Sequence, residues 1–166
     1  ALIRYVRAVS LRFDGEGIWL DGECVADAIR APVVTAAIRY LADVAEIRAE
    51  LSRLQRDHVA DRDVVTEGRD QGTEVFPDAE CKIFLTASAE ERARRRQEQL
   101  KSMGQFMELE DLLAQQNRRD QEDRTRPVGA LRTAADSVMV QTDGMQPSEV
   151  VDAIVAIARR VLPERT

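Results

Sequence analysis

The sequence predicts an α/β protein built on a parallel sheet, and three observations predict it. Short apolar, β-branched runs at Val64–Thr66, Lys82–Leu85 and Val138–Val140 have the length and content of buried strands. Longer segments with helical spacing lie between and around them. Strands that alternate with helices in this way pair in parallel through right-handed crossovers. The 166 residues, 44% hydrophobic and 33% charged, suit one domain with a core of its own rather than a disordered chain.

Taken in order, Ala1 to Arg7 begins without Met and reads as the end of a helix already under way. Strand candidates follow at Ser10–Phe13, Ile18–Leu20 and Cys24–Val25. The turn formers Asp14-Gly15-Glu16-Gly17 and Asp21-Gly22 separate them, so they form a small antiparallel unit inserted beside the main sheet. Residues 40–60 read as one helix, because Leu41, Val44, Ile47, Leu51 and Leu54 recur at its period. Val64–Thr66 is the first buried core strand, followed by a loop marked by Gly68 and Gly72.

Lys82–Leu85 is the second core strand. Ser88, with Glu91 three residues on, is a capping box that opens a helix to about Lys101, broken at Ser102-Met103-Gly104. A helix from about Glu108 to Arg124 is stopped by Pro127, since the residue before a proline avoids helical backbone angles. Val138–Val140 is the third strand. Pro147-Ser148 then opens a closing amphipathic helix through Val150, Ile154, Ile157 and Val161.

A net charge of −6 and a pI near 5.0 argue against a partner as acidic as duplex nucleic acid. Of the 24 basic residues only Lys82 and Lys101 are lysines. That arginine bias fits bidentate phosphate binding, but a GC-rich coding sequence accounts for it more simply, so it decides nothing by itself. Cys24 and Cys81 lack metal-type spacing and point to a reducing compartment and packing roles. No apolar run reaches a membrane span and no signal peptide is evident, so the expectation is a cytoplasmic protein. His58 and Trp19 read as structural. No calcium loop, zinc signature or nucleophile elbow is present, and no metal ligand is nominated.

Three groups stand out chemically. On a helical wheel Arg48 falls inside the apolar arc beside Leu41, so its guanidinium must find an acceptor or snorkel to water. Glu67-Gly68-Arg69-Asp70-Gln71-Gly72-Thr73 follows a core strand, where ligands of such sheets bind. There Arg69 sets a donor fork beside the Asp70 acceptor. Arg119, Asp123 and Arg126 are spaced to share one helix face, with Asp123 flanked by cations. Arg92-Ala93-Arg94-Arg95-Arg96 is either a solvated helix surface or a clamp on transferring phosphates. Spacing alone leaves each group open between a site and a solvated face.

In combination these features resemble the bacterial cytidylate kinases over nearly all 166 residues. The most specific segment runs from Glu67-Gly68-Arg69-Asp70 through Phe76-Pro77-Asp78-Ala79 to Lys82-Ile83-Phe84-Leu85-Thr86-Ala87-Ser88. Ile18-Trp19-Leu20-Asp21-Gly22 precedes the long helix, and Arg119-Asp120, Asp123-Arg124, Arg126 and Ala134-Ala135-Asp136 complete the order. The resemblance implies a P-loop nucleoside-monophosphate kinase fold. Residues 8–60 would be the nucleotide-binding insertion, 61–87 and 128–166 the core, and 88–127 the lid. It implies phosphoryl transfer from ATP, with Mg2+, to CMP or dCMP.

The resemblance also implies roles. Arg48 and Asp70 fall on positions that recognise cytosine, and Arg126 near the base. Arg69 and Arg119 fall on positions for the CMP phosphate, and Asp123 on one for the sugar hydroxyls. Arg92 and Arg96 look like lid arginines that approach the ATP phosphates. Two departures stand against this pattern. Arg39 occupies the place of a small hydroxyl residue that contacts the base. The glycine-rich phosphate loop ending in Lys-Ser/Thr is not found. The expectation is that the sequence begins mid-protein and that these residues alone do not transfer phosphate. The alternatives are a kinase-derived CMP-binding module without the ATP loop, or a UMP/CMP kinase of the same superfamily. A monomer is expected, with nucleotides as its only partners and neither nucleic acid nor membrane bound.

Overall fold

The computed structural model describes residues 2–14, 17–60 and 62–162, without the side chains of Thr35 and Arg39. The Gly15-Glu16 part of the expected first turn and the Arg39 side chain therefore lie outside the described residues. The chain divides into two compact units, Ala1–Val75 with Arg126–Ala130, and Phe76–Thr125 with Leu131–Thr166.

In the first unit, helix α1 (Leu2–Ala8) leads into strands β1 (Leu11–Asp14), β2 (Gly17–Leu20) and β3 (Glu23–Cys24). They form an antiparallel meander with Leu11 opposite Leu20 and Trp19 opposite Cys24. The inserted antiparallel unit is thus present, within a residue or so of its expected bounds. Trp19 binds the hairpin together: its Nε1 donates to Asp14 at 3.1 Å, and the Arg12 guanidinium stacks over its ring at 4.7 Å. His58 lies 4.7 Å from the Phe13 ring, a packing role. Cys24 is exposed, so the packing role expected of it does not hold. A two-residue edge strand buries little.

The single helix expected over 40–60 is two helices, α2 (Pro32–Ala42) and α3 (Ala45–Val59). Pro32 starts α2 because its fixed φ and missing N–H suit the first helical turn. Asp43 (φ −104, ψ 8) and extended Val44 (φ −90, ψ 104) interrupt the ladder. Helical spacing of apolar residues across the gap concealed the break, because a two-residue interruption barely disturbs the count. Ile47, 2% exposed, is the anchor of α3.

Val64–Thr66 is not a buried strand. Its backbone is irregular and Val65 is fully exposed at 101%. A strand exists only through a paired neighbour, and among the described residues none pairs with this segment. After it, Gln71–Val75 forms a π-turn in which the Asp70 carbonyl accepts from the N–H groups of Thr73, Glu74 and Val75 at 3.3, 2.8 and 3.2 Å. Arg56 of α3 fastens its end, donating to the Val75 carbonyl at 2.8 Å.

In the second unit, β4 (Ile83–Thr86) and β5 (Val138–Gln141) pair in parallel, Ile83 beside Val138 and Thr86 beside Gln141. This is the parallel pairing that the alternation of strands and helices predicts. Lys82 is nearly buried and donates to Asp136 at 2.6 Å. Helices α4 (Ala89–Ser102) and α5 (Leu109–Thr125) form a hairpin around Ala93, Leu100 and Leu112, with Met107 and Leu113 against them. Ala93, 0% exposed, lets the second helix approach closely. Helix α6 (Pro147–Val161) begins with a capping box between Gln146 and Glu149.

Ser88 caps α4 as expected, accepting from the Glu91 N–H at 3.2 Å, a cap worth about 1 kcal/mol. The reciprocal bond is different. Asp143 at the end of β5 accepts from the Ser88 N–H at 3.1 Å, while the Glu91 carboxylate turns to Arg95 at 3.0 Å. Hydrogen bonding to Ser88 holds the Asp143 carboxyl below the ordinary carboxylate value, and Lys82 does the same for Asp136. A carboxyl depressed by folding adds stability that is full above its unfolded value and is lost as pH falls through its folded value. The urea midpoint should therefore drop as pH is lowered below about 4. Asp143→Asn should lose part of that pH dependence; an unchanged acid slope would contradict the assignment.

Candidate functional site

Arg48 is the residue around which the first unit's polar groups gather. Its side chain is 20% exposed and forms an ion pair with Asp70, 12% exposed. The carbonyl of Ala42, left without a helical partner by the break at Asp43, accepts from Arg48 Nη1 at 3.2 Å. The guanidinium placed by the wheel in an apolar arc has thus found its acceptors, as such a buried charge must. Its Nε remains a buried donor with no acceptor.

Gly129 covers this pair from the segment after α5. Its φ is +67, and any Cβ there would collide with the Arg48 guanidinium. Its N–H donates to Glu74 Oε1 at 3.1 Å, which fixes the approach. Arg126, from the same segment, lies 3.7 Å from Asp43. It does not share a helix face with Arg119 and Asp123, as its spacing led one to expect. Pro127 bars helical angles at Arg126, so α5 ends at Thr125 and Arg126 falls in the first unit. Arg69 is exposed beside the buried Asp70.

In the second unit, Asp123 is 6% exposed on α5, with Arg119 Nε 3.9 Å from its carboxylate. The Asp123 carbonyl accepts from the Leu131 N–H at 2.8 Å. Among the described residues the buried polar side chains are Asp70, Asp123 and Thr142. Two of these three carboxylate or hydroxyl groups are those singled out from the sequence. Arg92 of α4 pairs with Asp120 of α5 and with the Ala87 carbonyl, and its Nε is buried without an acceptor. Arg96 is exposed one turn further on and bonds to Gln99 at 2.6 Å.

A family model described as cytidylate kinase matches residues 1–160. The chain belongs to the cytidylate kinase family. It is 54% identical over 159 residues to the cytidylate kinase of Rhodopirellula baltica, covering 96% of this chain and 69% of that one. It is 45% identical over 154 residues to the cytidylate kinase of Pelotomaculum thermopropionicum, covering 91% and 68%. A Synechococcus bifunctional pantoate ligase/cytidylate kinase is 49% identical over 145 residues, or 87% of this chain and 27% of that protein. Membership gives the function, ATP-dependent phosphorylation of CMP or dCMP. Kinases of this family generally use ATP and Mg2+. No described helix is long and apolar enough to cross a membrane.

Sequence reasoning missed the groups that hold these cytidylate kinase side chains in place. Asp43, Asp120, Glu74 and Gly129 are unremarkable by spacing. Their signal is a partner distant in sequence, which periodicity does not register. Arg95, grouped with a solvated run, bonds to the Thr142 hydroxyl at 3.1 Å and to its carbonyl, tying α4 to the end of β5.

Proposed function

We propose that this cytidylate kinase reads cytosine with Arg48 and Asp70, with Arg126 near the base. Arg69 and Arg119 hold the CMP phosphate, and Asp123 takes the sugar hydroxyls. What supports this reading most is the largely buried Arg48–Asp70 pair with a donor still unused. Cytosine offers an amino donor and a ring-nitrogen acceptor side by side, which a carboxylate and a guanidinium match. Uracil offers carbonyl oxygen where the carboxylate needs a donor.

Arg92 and Arg96, one helical turn apart, are proposed to meet the ATP phosphates. The acceptorless Nε of Arg92 fits a phosphate oxygen, and Mg2+ would travel mainly on the nucleotide's own oxygens. Bound ATP supplies the transferred phosphoryl group. The protein's share is in-line positioning and charge neutralisation, with no general base required. In this reading the fold is that of a P-loop nucleoside-monophosphate kinase. Residues 8–60 are its nucleotide-binding insertion, 61–87 and 128–166 its core and 88–127 its lid, and it works as a cytoplasmic monomer.

With the intact enzyme as it occurs in the cell, in a coupled ADP-release assay, kcat/KM for CMP and dCMP should exceed that for UMP and AMP by at least about 10²-fold. Equal turnover of UMP would overturn the roles given to Arg48 and Asp70.

A further inference from the structure

A cavity of about 180 Å³ in the first unit is lined by Arg48, Leu51, Ser52, Gln55, Asp70, Gln71 and Val75. That is several times the ~30 Å³ a water molecule occupies in liquid, room for a single-ring heterocycle. Two of the lining residues carry buried polar atoms with unmet demands. Arg48 Nε is a buried donor without an acceptor, and Gln71 Oε1 is a buried acceptor without a donor. Leaving such atoms unpaired costs stability, and in native proteins they are met by ordered water, an ion or a ligand, or belong to a functional site.

The placement of Gln71 is built in. A Cβ on Gly68 would stand 2.8 Å from Gln71 Cγ and 3.2 Å from its Nε2, so the side chain fills the space that the glycine leaves open. Gln71 also opens the π-turn, whose Asp70 carbonyl gathers three N–H groups. Such widened turns recur at functional sites. Asp70 and Gln71, adjacent in sequence, therefore both line one cavity.

We propose that Gln71 is a specificity-determining residue for the base, its Oε1 accepting the second amino hydrogen of a 4-aminopyrimidine while Asp70 accepts the first. This rests on the assignment of cytosine to Arg48 and Asp70. Cytosine's exocyclic amine has two hydrogens, and these two lining residues offer one acceptor for each. A uracil ring would bring an oxygen against both acceptors and leave Gln71 Oε1 unmet, so discrimination is sharpened at a residue beyond the Arg–Asp pair.

The test is calorimetric binding of CMP and UMP to the full chain and to Gln71→Leu and Asp70→Asn, with a urea melt of each without ligand. Gln71→Leu removes an unmet acceptor, so its ligand-free midpoint should hold or rise, whereas a purely structural glutamine would lose stability. Its CMP affinity should fall about tenfold and its CMP:UMP ratio narrow by a similar factor. A ratio unchanged within twofold in Gln71→Leu, while Asp70→Asn collapses it, overturns the role of Gln71 alone. A ratio unchanged in both variants overturns the cytosine assignment and the Gln71 role with it. Should Gln71→Leu fold poorly, Gly68→Ala displaces the same side chain and must narrow the ratio likewise.

Discussion

Arg119→Ala should lower kcat/KM for CMP by about 10²–10³-fold while leaving the urea midpoint of the protein nearly unchanged. The two halves of that expectation come from different properties of one side chain. Arg119 is 63% exposed, and its nearest carboxylate, Asp123, is 3.9 Å away, so the resting contact contributes little to folding. A phosphate would receive a permanent positive charge and a planar donor fork from the same group. Loss of that fork is felt where negative charge must be neutralised during transfer. Arg119→Lys should recover only part of the rate, because an ammonium restores charge without the bidentate geometry. Near-normal turnover by Arg119→Ala would show the residue to be solvated surface.

Arg48→Ala should behave in the opposite way, costing both stability and binding. With side-chain exposures of 20% and 12%, Arg48 and Asp70 form a pair that is mostly out of water. Removing one partner strands the other, at about 3 kcal/mol. The Ala42 carbonyl loses its donor at the same time. The double replacement Arg48→Met with Asp70→Leu removes both charges and should regain most of the stability. CMP affinity should stay lost in the double variant, by about 10²-fold or more. Urea melts and CMP calorimetry on the three proteins separate the outcomes. A double variant that regains CMP binding along with stability would show the pair to be only a fold element.

These variants also mark how far the sequence could be read. Arg48, Asp70 and Asp123 were visible because each violates a local rule: a charge on an apolar arc, an acceptor next to a glycine turn, an acid between arginines. Asp70 and Asp123 indeed sit among the buried polar residues. The helices α4 and α5 were legible from their end signals, the Ser88 cap and the Pro127 stop, and the parallel pair β4–β5 from short apolar runs set between helices. The break at Asp43–Val44 was not, since apolar spacing survives a short interruption. Val64–Thr66 had strand composition, but pairing is decided by a neighbour and not by the segment. Arg126 was misplaced for a related reason. Its spacing was helical, yet Pro127 overrides spacing one residue before it acts.

The wide turn at Gln71–Val75 carries one residue more per hydrogen-bonded ring than an α-turn does, closing from the Val75 N–H to the Asp70 carbonyl. An ordinary substitution within it changes a side chain and leaves that count intact. Deleting a single residue would instead convert it to α geometry and rotate the residues on its two sides by roughly 100° relative to each other. Asp70 would then leave Arg48, and Arg56 would lose the Val75 carbonyl that it grips. Among homologues this stretch should therefore tolerate changes of letter far more readily than changes of length.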